Sequence, residues 1–194
     1  MSNVEQLKRL VSSDHVVQVP DVHDVLTAKL TIATGFEVLY IGSFGFSLCR
    51  YGRPDQSLVS VESLIEQTRL VSSSVDAPLA LDLEEGGGNA VATFHNVRAA
   101  EAAGATAIQI EDHVAGKAYG KGGALYPAQA AIDKIKAATD ARSDALIIGR
   151  TEALSIGRSK IEALERAAAY AEAGADLLTI VGLPFQDVAE SRRQ

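Results

Sequence analysis

Residues 79–89 read Leu-Ala-Leu-Asp-Leu-Glu-Glu-Gly-Gly-Gly-Asn. Apolar residues alternate into Asp82, Glu84 and Glu85, and three glycines then lead to Asn89, a residue suited to start a helix. This order predicts a buried strand that ends in a carboxylate cluster at a tight turn. Carboxylates at the end of a buried strand carry a large desolvation cost unless they hold a metal or take part in chemistry, so the stretch marks the candidate active site. The alternative reading is a helix cap at Asn89 preceded by solvated acids.

On both sides of this stretch the pattern of short apolar run, turn and helix recurs. Strands are expected near residues 16–20, 37–43, 78–83, 106–111, 145–150 and 176–181. Helices are expected at about 4–12, over 21–35, after Ser60, from Asn89 to Ala103, from Pro127 to about Ala138, from Arg158 to Ala173 and at the C-terminal end. Residues 44–57, FGFSLCRYGRPDQS, read as a long loop punctuated by Gly and Pro. A second long loop, 113–127, is glycine-rich and carries Lys117, Tyr119 and Lys121, which suits a lid.

The segments TGFEVLYIG, AGATAIQIE and AGADLLTIV repeat, with glycines at 35, 104 and 174. Two βα units per period of about 70 residues is the pattern of a (β/α) barrel of TIM type. The expected fold is therefore α/β, one barrel domain over 1–194 with about six of eight units, ending before strands seven and eight.

In such a fold the C-terminal ends of the strands share one face. That rule gathers Asp21, Ser43, Asp82 with Glu84, Glu111 with Asp112, and Arg150 with Glu152. Asp55, Asp82, Glu84 and Glu111 form an oxygen-only donor set that suits Mg²⁺, with Mn²⁺ as the alternative, bound partly through water. The four histidines lack the spacing of zinc ligands. His113 alone stands at a strand end, either facing the site or as a solvated loop residue. Arg150 closes an apolar strand and needs Glu152, Glu111 or an anionic substrate group as its partner.

Composition narrows the choices further. The hydrophobic share is 47% with few aromatics, which suits parallel strands buried on both faces. A net charge of −7 argues against nucleic acid or an anionic membrane as partner and fits a site for a cation. The single cysteine, Cys49, excludes an intrachain disulfide and a cysteine-based zinc cage, and a reducing cytoplasmic setting is expected. No signal peptide is read in MSNVEQLKRLVSSDH, and no run approaches 18 apolar residues. The glycine run at 86–88 lacks a Walker Lys-Ser/Thr and a dinucleotide fingerprint.

Four stretches in order carry a family likeness: Gly52-Arg53-Pro54-Asp55, Asp82-Leu83-Glu84-Glu85-Gly86-Gly87-Gly88-Asn89, Gln109-Ile110-Glu111-Asp112, and Ile147-Ile148-Gly149-Arg150-Thr151-Glu152-Ala153. They resemble motifs of the isocitrate lyase and phosphoenolpyruvate mutase superfamily, with Glu84 where the family motif has Asp. The resemblance implies a Mg²⁺-dependent lyase that cleaves a C–C bond in a small 2-oxo or 2-hydroxy carboxylic acid through a pyruvate-type enolate. By the same likeness Asp82 binds Mg²⁺ directly, and Asp55, Glu84 and Glu111 hold its waters. Arg150 and backbone N–H groups near Ser43 stabilise developing charge. Tyr40, Gly42, Ser43 and Arg150 line the substrate site, and Arg150, Glu111, Lys117 and Tyr119 are the catalytic candidates.

The chain also departs from the family pattern. The lid motif Lys-Lys/Arg-Cys-Gly-His of the isocitrate and methylisocitrate lyases is here Lys117-Ala118-Tyr119-Gly120-Lys121, so the cysteine acid is replaced. Tyr119 stands there either as a proton donor or as a packing residue. The family's Ser-Gly pair becomes Gly42-Ser43, with one extra residue before Asp55. Phosphonopyruvate mutase or hydrolase chemistry is the neighbouring reading, and a non-catalytic binding or oligomerisation module is the competing one. Six barrel strands leave two apolar edges, so a homo-oligomer is expected.

Overall fold

The computed structural model describes residues 1–114 and 123–191, with side chains to residue 188. Five strands, β1 (Leu39–Ile41), β2 (Leu79–Asp82), β3 (Ala107–Glu111), β4 (Leu146–Thr151) and β5 (Leu177–Ile180), lie side by side in chain order. All four pairings are parallel. Helices α1 (Asn3–Val11), α2 (Val25–Ala33), α3 (Ser43–Tyr51), α4 (Val61–Ser72), α5 (Ala90–Ala102), α6 (Ala128–Ala141), α7 (Lys160–Glu172) and α8 (Phe185–Ser191) complete the described elements.

The helix starts follow side-chain chemistry. Ser2, Asp24, Ser60, Asn89 and Ser159 each accept a hydrogen bond from a backbone N–H of the first turn. Such a cap is worth about 1 kcal/mol. The repeated glycines 35, 104 and 174 have φ of 98°, 100° and 102°. An L side chain rarely adopts this backbone, so these glycines turn the chain out of α2, α5 and α7.

Two expectations are corrected. Residues 16–20 form no strand; the chain meets β1 only through a parallel bridge between Asp21 and Tyr40. Tyr40 N–H donates to Pro20 O at 3.0 Å and Val22 N–H to Tyr40 O at 2.8 Å. Proline has no N–H to extend that ladder, and the exposed Val16 and Val19 bring no burial to fix it. The described sheet therefore has five strands, not six. The loop expected over 44–57 is helical as far as Tyr51. Ser43, Phe46 and Ser47, at helical spacing, bury one face of α3, a signal that its serines and glycine masked. Gly52, at φ 61°, ends the helix.

The two sides of the sheet have different roles. Leu39, Ile41, Leu79, Leu81, Ile108, Ile110 and Ile147 belong to a core that includes residues of α2 and α4 to α7. The alternate residues point the other way, where Leu7 and Leu10 of α1 pack with Val38, Ala80, Ala107 and Leu146. That inner side is thus closed near the strand starts by α1. Its far end carries the polar residues.

Candidate active site

The turn after β2 is built around Glu84, which sits in left-handed backbone at φ 54° while its side chain is buried. A non-glycine residue held this way costs about 1 kcal/mol or more, and such strain concentrates at functional positions. The surroundings hold it there. Glu84 N–H donates to Asp82 Oδ1 at 3.0 Å, and Glu111 N–H donates to Glu84 O at 2.9 Å. Gly86 follows at φ 76°, and a Cβ on it would lie 2.6 Å from Thr93 Oγ1. Only glycine fits.

Arg150 lies at the centre of the strand ends. Its Nη1 is 3.2 Å from Asp82 Oδ2, its Nη2 is 3.3 Å from Glu111 Oε2, and its Nε donates to Glu152 Oε1 at 2.8 Å. Burial alone would lower the guanidinium pKa, but the charges of Asp82, Glu111 and Glu152 outweigh it and raise it. The side chain stays cationic at any accessible pH. The arrangement answers the sequence-level question of its partner, since it meets Glu152 and Glu111 and also Asp82.

Asp82, Glu84, Glu111 and Glu152 are all buried, and as carboxylates they outnumber the one guanidinium among them. Such an excess of buried negative charge, presented by oxygen donors alone, fits a hard divalent cation. Among the described residues, however, no group of three or more Asp, Glu, His or Cys side chains is set to hold a metal ion. In this conformation the guanidinium gathers the acids instead. Asp55 stands to one side, half-buried, with Ser43 Oγ 3.5 Å from its Oδ1.

One layer beneath, Gln109 Nε2 donates to the Tyr40 hydroxyl at 2.8 Å, and Thr179 Oγ1 donates to Gln109 Oε1 at 3.3 Å. This row crosses the inner side from β1 through β3 to β5. Burial, then the charge of Asp82, pushes the Tyr40 phenol above its ordinary range, so it remains protonated. Gly42 caps α3 without a side chain, and its N–H donates to Asp21 Oδ1 at 2.9 Å. The Asp21 carboxyl lies so close to the first turn of α3 that a Cβ on Gly45 would collide with it. Burial raises the Asp21 pKa, and the Gly42 N–H partly opposes that.

Behind the site lies a second polar group that sequence reasoning left without a role. Asp112 is buried, and its Oδ2 accepts from Thr151 Oγ1 and the Tyr170 hydroxyl, each at 2.7 Å. Its Oδ1 accepts from Glu152 N–H at 2.9 Å, and Arg166 Nη1 is 3.4 Å from Oδ2. Burial and the Asp112 charge push the Tyr170 phenol upward. Lys134 is the other missed residue, although its place among Ala131, Ile135 and Ala138 on the apolar face of α6 was a legible signal. His113 is buried rather than solvated, and a Cβ on Gly123 would run into its ring. Lys117, Tyr119 and Lys121 lie outside the described residues.

A family model described as phosphoenolpyruvate phosphomutase matches residues 7–192. The 2,3-dimethylmalate lyase of Eubacterium barkeri is 35% identical over 184 residues, which cover 93% of this chain and 63% of the relative. The 2-methylisocitrate lyase of Aeropyrum pernix is 37% identical over 174 residues, 89% of this chain and 56% of the relative. The chain thus spans less than two thirds of the length of either curated relative. A solved phosphonopyruvate hydrolase in complex with oxalate and Mg²⁺ superposes with a TM-score of 0.87 at 33% identity, covering 100% of this chain and 69% of that one.

Proposed function

Because the chain belongs to the phosphoenolpyruvate phosphomutase family, we propose that it is a Mg²⁺-dependent lyase that cleaves a C–C bond in a small 2-oxo or 2-hydroxy carboxylic acid. The observation that carries this reading is the Arg150 guanidinium set among Asp82, Glu111 and Glu152 at one end of the inner face. Asp82, with Asp55, Glu84 and Glu111 beyond bound water, is the set that would hold the ion. When bound, the ion supplies Lewis-acid polarisation of the substrate's 2-oxygen and carboxylate.

The chain's own residues supply the rest. Arg150 offers a planar fork of N–H donors to a substrate carboxylate and offsets negative charge as an enolate forms. Ser43, with the backbone N–H groups that open α3, supports that carboxylate from the other side. Tyr40, protonated and accepting from Gln109 Nε2, keeps its hydroxyl hydrogen for an acceptor at the floor of the site. Glu111 shares Arg150, so its charge is released as the guanidinium turns to substrate. In cleavage of a 2-hydroxy acid, a base removes the hydroxyl proton, the C2–C3 bond breaks, and the electron pair passes to the departing fragment as an enolate. A proton from an acid then completes the product, and Tyr119 or Lys117 is the proposed donor.

A small carboxylic acid is the proposed partner, in a cytoplasmic setting. Among the described residues no helix is long and apolar enough to cross a membrane. Self-association of this single (β/α) domain is supported by β5, an edge of the described sheet on which Leu178 is exposed. The neighbouring reading, hydrolysis or rearrangement at a C–P bond, is favoured by the likeness to phosphonopyruvate hydrolase.

The test is product detection by NMR on a panel of 2-hydroxy dicarboxylates and phosphonopyruvate, with and without Mg²⁺. A 2-oxo acid released from the dicarboxylates, lost in Asp82→Ala, supports the lyase. Turnover of phosphonopyruvate alone moves the assignment to C–P chemistry. No product, with no Mg²⁺ binding by calorimetry, leaves the non-catalytic module as the reading.

A further inference from the structure

Lys134 is 1% exposed, on the face of α6 that packs against the sheet. Its Nζ donates to two main-chain carbonyls, Glu85 O at 3.0 Å and Glu111 O at 3.3 Å. It also lies 3.8 Å from the centroid of the Tyr126 ring, so the electron-rich ring face takes the third side of the ammonium. Burial lowers the pKa to about 8, against the opposing charges of Glu85, Asp112 and Glu111. An apolar side chain would fill this place without that burden. What a cationic multiple donor supplies, and an apolar chain does not, is a hold on two chain segments at once.

Those two segments carry candidate ligands. Glu85 follows the strained Glu84 in the turn after β2, and Glu111 is the last residue of β3. They are otherwise joined by the Glu111 N–H to Glu84 O bond. We propose that Lys134 is a positioning residue that sets the spacing between the Glu84–Glu85 turn and Glu111 by pinning both carbonyls, and so determines how these carboxylates meet a divalent cation. The second half of this inference rests on the Mg²⁺ reading above, while the first half does not.

The experiment uses the full chain, Lys134→Met and Lys134→Arg. Amide hydrogen exchange at Glu111 needs neither metal nor substrate, and it should be about tenfold faster in Lys134→Met, relative to amides in the middle of β4, and near wild type in Lys134→Arg. Mg²⁺ binding by calorimetry should weaken by about tenfold or more in Lys134→Met and recover in Lys134→Arg. An unchanged Glu111 amide in folded Lys134→Met overturns the proposal. If wild type binds no Mg²⁺ while that amide still loosens, the spacing role stands and the metal reading fails. If Lys134→Met does not fold, the ¹⁵Nζ signal of Lys134 in wild type, assigned by its loss in Lys134→Arg, decides. Slow exchange of its ammonium protons supports the pin, and exchange as fast as that of surface lysines overturns it.

Discussion

Replacing Arg150 by Met removes the positive charge at the hub and leaves Asp82, Glu111 and Glu152 facing one another. At 3.2 and 3.3 Å, each of the contacts to Asp82 and Glu111 is worth roughly 5 kcal/mol of attraction at an effective dielectric near 20. Desolvation of the guanidinium offsets much of that, and the measured loss for a broken buried pair is about 3–5 kcal/mol. The loss should depend on pH. In the wild type Arg150 is held charged, its pKa raised by the acids around it, so the guanidinium itself does not titrate in the accessible range. In the variant the three buried acids face one another with no cation among them, and burial together with like charge disfavours the ionised state of such a group. A raised pKa contributes stability below the unfolded value and loses it as pH rises through the folded one. The difference between the two proteins should therefore be under about 1 kcal/mol at pH 4 and reach about 3–5 kcal/mol at pH 7. Urea unfolding at pH 4, 5.5 and 7, with matched m-values, measures it. A difference that does not grow with pH, or stays below about 1 kcal/mol at pH 7, refutes the hub as the structure draws it.

Asp112→Asn should destabilise by about 3 kcal/mol in urea, because an amide N–H would face donors from Thr151, Tyr170 or Glu152; an effect below about 1 kcal/mol would show that the network relaxes freely. Glu84→Asn, which tolerates left-handed backbone, should raise thermal stability by about 0.5–1 kcal/mol while weakening Mg²⁺ binding, and a loss of stability would contradict the strain at Glu84. Mg²⁺ at a hundredfold excess over its dissociation constant should stabilise the wild type by about 2.7 kcal/mol, and no shift in melting would count against the acidic cluster.

The parallel order of the strands was legible because apolar runs alternate with helices, as where β2 leads to the Asn89 cap and Gly104 and β4 to the Ser159 cap and Gly174, local signals that need no tertiary knowledge. The bridge at Asp21 was not, since the apolar run before Pro20 looks like a strand while the residue that ends the ladder is the proline itself. Helix α3 was hidden by the opposite effect, in which weak helix formers are held by burial of Phe46 and its neighbours. Asp82, Glu111 and Arg150 were readable as strand-end residues of one face. That Arg150 needed Glu152 or Glu111 was readable too; that Asp82 would join them was not, because side-chain reach is settled by packing.

The residues that steady the site were the least visible, and the alternation of a strand explains why. Glu111 and Asp112 are adjacent in sequence, yet Glu111 meets Arg150 on the inner face while Asp112 turns outward to Thr151 and Tyr170. Asp112 also takes the N–H of Glu152, whose carboxylate returns to Arg150. The hub therefore depends on a helix residue, Tyr170, through two strand ends. Lys134 does the same from α6 through the carbonyls of Glu85 and Glu111. Motif reading finds groups that share a strand end; it is blind to helix side chains that reach the backs of those ends. In this fold the candidate site stands on the inner face and its alignment is set from the outer one, so variants at Tyr170 and Lys134 should alter the site without touching anything bound in it.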